Sequence, residues 1–280
     1  MSIYWRLSLS FNGTLPQDLH QLLLHTTPEE INRYLSQLFH QNPVETSINA
    51  YLIDTGDKVI LVDSGFGLGF NPNSSGKMLN SLRTAGYSPE QVMDILITHQ
   101  HIDHIGGLII EGKRIFTNAT IYTSQEDVDF FLKSEHQNGV NGYEKHYFSE
   151  ATQALKPYID ANKVKTFSGK TELFSGITAI PAPGHTPGHS FYKVESQGKS
   201  LLFIGDLIHN AEVQLSRAEI TIKYDVNEKE AASQRIQQLL EISQSKVLIA
   251  GAHLPFPGLG QIRLDQNSSY SFVPVLYQDR

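Results

Sequence analysis

Thr98-His99-Gln100-His101-Ile102-Asp103-His104 is followed by Ile105-Gly106-Gly107 and preceded by the apolar run Ile95-Leu96-Ile97. A chain leaving a buried strand thus delivers three imidazoles and a carboxylate within six positions. Neutral imidazole and carboxylate are donors that suit Zn, Fe, Mn or Co. Burying such groups as spectators costs roughly a few kcal/mol each, and a solvated polar loop does not account for their density. The paired glycines let the backbone turn tightly and start a helix close to the donors.

Working outward, three more segments have the same character. Pro183-Gly184-His185-Thr186-Pro187-Gly188-His189 follows the strand-like run Ile177–Ile180, Ile204-Gly205-Asp206 ends another, and Gly251-Ala252-His253 a fourth. One donor at a strand end is ordinary, whereas four such strand ends are hard to reach by coincidence. The set resembles the metallo-β-lactamase superfamily, whose pattern is HxHxDH, then His, Asp and His. The resemblance implies an α/β fold, a four-layer αββα sandwich. It also implies two divalent metal ions, zinc first, with Mn, Fe or Co as alternatives. By the same resemblance His99, His101 and His185 hold one ion, Asp103, His104 and His253 hold the other, and Asp206 bridges both.

A narrower resemblance, to the methyl parathion hydrolase-like and lactonase branch, is carried by Leu7-Ser-Leu-Ser-Phe-Asn-Gly-Thr14, Gly205-Asp-Leu-Ile-His209 and His253-Leu-Pro-Phe-Pro-Gly-Leu-Gly260. Homoserine-lactone lactonases commonly carry Tyr three residues after the bridging Asp, where this chain has His209. Aryl esters or aryl phosphotriesters are therefore expected to react at least as readily as homoserine lactones. Two metals about 3.5–4 Å apart would share a hydroxide whose parent water has a pKa near about 7. That hydroxide attacks a carbonyl or phosphoryl centre while the metals stabilise the oxyanion. Asp103 would bind metal and orient the nucleophile; His209 would line the pocket or donate a proton to the leaving group.

The expected function is a di-metal hydrolase of esters, lactones or phosphotriesters. The alternatives are a glyoxalase II-type thioester hydrolase and a quorum-quenching N-acyl-homoserine lactonase. Glyoxalase II-type enzymes usually end in a helical domain, whereas the 27 residues after His253 hold Pro255, Pro257, Gly258 and Gly260. A di-iron reductase would need a flavin partner domain, for which the chain has no room. A metal-free binding module would leave seven donors without a purpose.

Bulk properties narrow the classes further. The net charge is −7, from 22 basic against 29 acidic residues, with no basic block; nucleic-acid binding needs a basic face, so a nuclease is disfavoured. Cysteine is absent, which excludes disulfides, thiolate metal sites and a cysteine nucleophile. With 40% hydrophobic and 18% charged residues, a sizeable core is expected, and residues 1–280 read as a single domain. Met1–Thr14 lacks the apolar core of a signal peptide, and no run reaches membrane-spanning length. The expectation is a cytoplasmic protein acting on a small molecule, with no membrane or nucleic-acid partner; a homodimer is compatible with the sequence.

Strand-like runs occur at Ile48–Ile53, Val59–Val62, Ile95–Thr98, Thr120–Thr123, Ile177–Ile180, Phe191–Val194, Leu201–Ile204 and Val247–Ala250. Helices are expected at Gly76–Gly86, Gln125–Ser134 and Glu228–Ser243. The last has an Asn227/Glu230 capping box and an apolar face of Ala232, Ile236, Leu239 and Leu240, with Ser243 beside them. Tyr51–Asp63 and Tyr192–Asp206 both read as strand, Gly-containing turn, strand, Asp, each followed later by a strand ending at a histidine, which suggests two similar halves. Residues 135–150, with Asn138-Gly139 and Asn141-Gly142, read as a mobile insertion.

Several residues near these motifs are expected to play supporting parts. His189 and Asp63 read as groups that hydrogen-bond nearby backbone or orient a ligand histidine. His20, His25, His40, His136 and His146 have no ligand spacing and read as surface or packing residues. Phe66, Phe70, Tyr143, Phe148 and Phe256 could line an apolar pocket, with core packing the simpler role for each.

Overall fold

The computed structural model describes residues 6–67, 76–140 and 142–276. The first sheet holds six strands whose spatial order is their chain order. They are β1 (Arg6–Gln17), β2 (Val44–Asp54), β3 (Val59–Val62), β4 (Val92–Leu96), β5 (Thr120–Ser124) and β6 (Val164–Phe167). The second sheet holds seven, again in chain order. They are β7 (Thr171–Phe174), β8 (Ile177–Pro181), β9 (Ser190–Ser196), β10 (Lys199–Phe203), β11 (Leu248–Ala250), β12 (Leu259–Leu264) and β13 (Tyr270–Pro274). In the first sheet β2 and β3 form an antiparallel hairpin and β4 joins β3 in parallel. In the second, β9 and β10 form the hairpin and β11 joins β10 in parallel. The repeated plan expected from sequence is therefore present in both sheets.

Successive side chains of a strand point to opposite faces, so both sheets bury both faces. Tyr51, Ile53, Ile60 and Val62 of the first sheet pack against Ala179, Tyr192, Phe203 and Ala250 of the second, forming the central layer. Leu52, Leu61, Ile95 and Ile121 face the other way, under α2 (Met78–Thr84), α3 (Gln125–Phe131) and α4 (Lys145–Ile159). Phe191, Leu202, Ile249 and Ile262 face outward from the second sheet and meet Leu239 and Ile242 of α5 (Glu228–Ser245). The result is the four-layer αββα sandwich. A smaller apolar cluster forms where α1 (Pro28–Ser36), carrying Ile31 and Leu35, packs on Leu19, Leu23, Val213, Ile220 and Ile222. Among the described residues, no helix is long and apolar enough to cross a membrane.

Three sequence expectations are corrected. The buried face of α5 is Ala231, Arg235, Leu239 and Ile242, while Ile236 and Leu240 are exposed. The helix is rotated by about one residue, roughly 100°, from the expected face, because a guanidinium occupies the position where hydropathy sought an apolar side chain. The second half of 135–150 is not loop: α4 starts at Lys145, and Phe148 is fully buried. Phe256 is 48% exposed and so does not belong to the core. Phe70 lies outside the described residues.

Candidate metal centre

The strands β3, β4, β10 and β11 each run into a loop that carries polar side chains of the site. Beyond β4 the chain passes through Thr98 and His99 into a short helix, Ile102–Ile105. Asp63, immediately after β3, anchors this turn. Its Oδ1 accepts from the Thr98 amide at 2.8 Å, and its Oδ2 accepts from Thr98 Oγ1 and from His104 Nδ1, both at 2.8 Å. Asp63 orients His104, the part expected of it. With Nδ1 donating to Asp63, His104 turns its buried Nε2 toward Asp206 and Asp103. Gly106 and Gly107 are needed for close approach rather than for a special φ: a Cβ on Gly107 would collide with the Ser64 carbonyl, and one on Gly106 would sit 2.8 Å from Gly67 N.

The second sheet supplies the remaining side chains, each held from behind. His185, on the loop after β8, donates from Nδ1 to Asp225 Oδ1 at 2.8 Å. Asp225 Oδ2 in turn accepts from the Ile222 amide at 3.1 Å and lies 3.9 Å from the Arg235 guanidinium. Arg235 donates to the carbonyls of Leu207, Ala218 and Ile220 at 2.7, 3.1 and 2.7 Å, which explains its burial. His253 Nδ1 donates to the Ser47 carbonyl at 3.0 Å. The Asp206 amide donates to His189 Nε2 at 3.0 Å, and His189 Nδ1 donates to the Ala182 carbonyl at 2.9 Å. Buried Asp127 ties the two loops together, accepting from the amides of Gln100 (3.2 Å) and Gly188 (2.6 Å) and from Thr186 Oγ1 (3.0 Å).

Seven side chains thereby converge in two groups that share Asp206: His99, His101, His185 and Asp206, and Asp103, His104, Asp206 and His253. In the first, His99 Nε2, His101 Nδ1 and His185 Nε2 are 3.0, 3.0 and 3.2 Å apart. Asp206 Oδ2 lies 3.6 Å from His99 Nε2 and 3.3 Å from His185 Nε2. In the second, His104 Nε2 is 3.1 Å from Asp206 Oδ1 and 3.5 Å from Asp103 Oδ2. His253 Nε2 is 3.1 Å from Asp206 Oδ2 and 3.3 Å from Asp103 Oδ2.

The electrostatics suit cations. Burial and the neighbouring imidazoles hold His99 and His101 far below the usual histidine range, hence neutral. Burial pushes the carboxyls of Asp103 and Asp206 up, but the surrounding histidines hold both well below the carboxylate range, hence ionised. Burial likewise pushes His104 down, yet Asp206, Asp103 and Asp63 raise it well above its ordinary value. Carboxylates that draw protons onto buried imidazoles are asking for positive charge, and a metal ion meets that demand with the lone pairs already aimed inward. The donor set and its orientation therefore fit two metal ions.

The centre opens into a cavity of about 250 Å³. Asp103, Asp206, His209 and His253 border it, and Leu15, Leu19, Leu22, Ile48, Phe66 and Ile222 make its walls largely apolar. His209 is buried, and burial pushes its pKa down to about 4. Its Nε2 lies 3.1 Å from Asp206 Oδ2, which places the ring beside the side chain that both donor groups share. Tyr143 does more than pack: its hydroxyl meets His101 Nε2 and donates to the Tyr224 carbonyl at 3.1 Å. His146, expected at the surface, is exposed but also borders the cavity. Asp127, Asp225 and Arg235 carried no sequence signal, being lone charges remote from the motifs they support.

Comparison with known proteins agrees with this geometry. The family model described as the metallo-beta-lactamase superfamily matches residues 43–263. The N-acyl homoserine lactonase AiiA of Bacillus thuringiensis subsp. kurstaki is 26% identical over 225 residues, 72% of this chain and 79% of that protein. The solved hydrolase AbOPH of the beta lactamase superfamily superposes with a TM-score of 0.91 at 33% identity, covering 98% of this chain and 96% of its own. AidC, a dizinc quorum-quenching lactonase solved with a product, gives a TM-score of 0.90 at 26% identity over 100% of this chain and 97% of its own. With more than half of its length matched by the family model, the chain belongs to the metallo-β-lactamase superfamily, as a hydrolase with a dinuclear metal centre.

Proposed function

We propose that the protein opens lactones bearing an apolar acyl chain, N-acyl homoserine lactones among them. The observation that carries this reading is the largely apolar cavity that ends on the two donor groups sharing Asp206. Such a cavity desolvates an acyl chain and brings the ester at its end to the polar floor. The lactonases among its relatives support the same choice.

In this reading His99, His101 and His185 hold one ion, Asp103, His104 and His253 the other, and Asp206 both. Zinc suits an all-nitrogen and oxygen set of this kind. When bound, the two ions supply a water acidic enough to ionise near neutral pH and positive charge for the developing oxyanion. Asp103, bordering the cavity and held ionised by its histidine neighbours, accepts a hydrogen bond from the attacking water and fixes its direction. His209, kept neutral by burial, holds one proton on its ring. Because His209 borders the cavity beside Asp206, its ring N–H is the group assigned here to meet the alkoxide released when the ring opens.

A second reading, hydrolysis of aryl esters or aryl phosphotriesters, is favoured by His209 itself. A nitrophenolate leaves without protonation, so the change from phenol to imidazole costs such substrates little. The test is a panel on metal-quantified protein: N-acyl homoserine lactones, aryl esters, phosphotriesters and S-lactoylglutathione. Lactone opening releases one proton per turnover and is expected with long-chain acyl groups. Failure on every lactone, with turnover of the aryl substrates, would replace the first reading by the second.

A further inference from the structure

The Tyr143 hydroxyl meets His101 Nε2 on one side and lies 3.1 Å from the Tyr224 carbonyl on the other. A carbonyl oxygen can only accept, and a phenol has a single O–H to give. That proton goes to Tyr224, so the Tyr143 oxygen is left to accept from His101. The direction of this short relay fixes a tautomer: His101 Nε2 carries the ring proton and Nδ1 carries the lone pair. Resting on the reading in which His101 holds one of the two ions, we propose that Tyr143 is a positioning residue that sets His101 to bind through Nδ1 and thereby tightens that ion.

The geometry around His101 agrees. Its Nδ1 is the nitrogen that lies 3.0 Å from both His99 Nε2 and His185 Nε2, so the tautomer imposed from behind is the one the donor group needs. A histidine that holds a metal almost always donates its other ring nitrogen to a fixed partner. His104 and His185 have carboxylates in that place, Asp63 and Asp225, and His253 has the Ser47 carbonyl; at His101 the partner is a neutral hydroxyl. Packing fixes the oxygen: the Tyr143 ring stacks on Tyr147 with centroids 4.4 Å apart and meets Phe131 and Phe148 edge-on at 6.4 and 6.0 Å. The far end of the relay matters too. Tyr224 directly precedes Asp225, which orients His185, so one hydroxyl joins the supports of two histidines in the same group.

The test is a chelator titration of zinc-loaded Tyr143→Phe, which keeps the ring and removes the hydroxyl, with bound zinc measured at each step. One neutral hydrogen bond corresponds to about a 3- to 10-fold change in affinity. One ion should leave at correspondingly lower free chelator and the other at the wild-type concentration. Phe130→Leu loosens the same aromatic cluster, its ring lying 6.1 Å from that of Tyr143, but keeps the hydroxyl; it should release both ions as wild type does. Nitrogen NMR on zinc-loaded protein with isotope-labelled histidine reads the tautomer directly. The His101 ring, identified by its absence in His101→Ala, should carry its proton on Nε2, and that proton should move upfield in Tyr143→Phe. Wild-type release by Tyr143→Phe, an equal loss in Phe130→Leu, or a ring proton on Nδ1 overturns the role of Tyr143. Where His101→Ala still loses one ion early, the ligand reading survives that result. Release of both ions by His101→Ala as in wild type overturns the ligand reading and this proposal together.

Discussion

The support behind His185 makes a selective prediction about metal binding. Asp225 accepts from His185 Nδ1 at 2.8 Å, fixing the tautomer that aims Nε2 at the first group of donors. A charge-assisted hydrogen bond of this kind contributes about 1.5–3 kcal/mol. Its loss in Asp225→Ala should weaken binding of the ion that His99, His101 and His185 are proposed to hold about 10- to 100-fold, the range seen when such supporting partners are removed. The other group keeps its own supports, Asp63 behind His104 and the Ser47 carbonyl behind His253, so its affinity should change little. Asp225→Asn retains an acceptor oxygen and should lose only a few-fold. The assay is stepwise metal release against a chelator, followed by elemental analysis at each chelator concentration. Asp225→Ala should release one ion at 10- to 100-fold lower free chelator and the second at the wild-type concentration. Simultaneous loss of both ions, or release identical to wild type, would show that the two groups are not supported independently.

Asp206 is the one side chain common to both groups, so Asp206→Ala should lower kcat by orders of magnitude and reduce metal content; near-normal turnover would show the assignment to be wrong. At His209, substitution by Ala should slow lactone opening more than hydrolysis of a nitrophenyl ester, and Tyr should restore the lactone rate, measured as the ratio of the two kcat/KM values; equal loss on both would make His209 a wall. Burial pushes His189 down to about 3 from 6.5 in the unfolded chain. Because the unfolded state then binds more protons between those values, His189 favours folding above about pH 6.5, and that contribution is lost as pH falls toward 3, by roughly 4–5 kcal/mol in all. His189→Gln, which can still donate to Ala182 O and accept from the Asp206 amide, should flatten the acid limb of a urea-unfolding pH series; an unchanged limb would show that His189 is not buried neutral.

The convergence of the candidate donors was legible in the sequence because they are concentrated: His99 to His104 in one short run, and Asp206 and His253 each within three residues of a buried strand. The hairpins were legible for a similar reason, since local alternation and a Gly turn suffice, and β3 has the bounds expected of it. What stayed hidden depends on distant partners. Arg235 reads as a solvent-facing residue until the carbonyls of Leu207, Ala218 and Ile220 are brought to it, and this one residue misdirected the face of α5. Asp127 is a single carboxylate whose role exists only once loops 98–104 and 183–189 meet, and Asp225 one whose role exists only once His185 is brought to it. The helix α4 was obscured by the Asn-Gly steps before it and by Pro157 in its last turns. Likewise β12 mixes buried and exposed positions without a regular period, and β13 has only half-buried and exposed ones, because they lie at the outer edge of the second sheet.

Metal content tests the dinuclear centre most directly. Protein purified without chelator and measured by elemental analysis should carry two divalent ions per chain, falling toward one when either group is disabled, by His185→Ala or by His253→Ala. A reproducible content well below one ion per chain, not recovered by adding Zn, Mn or Co, would contradict a dinuclear hydrolase built on these seven side chains.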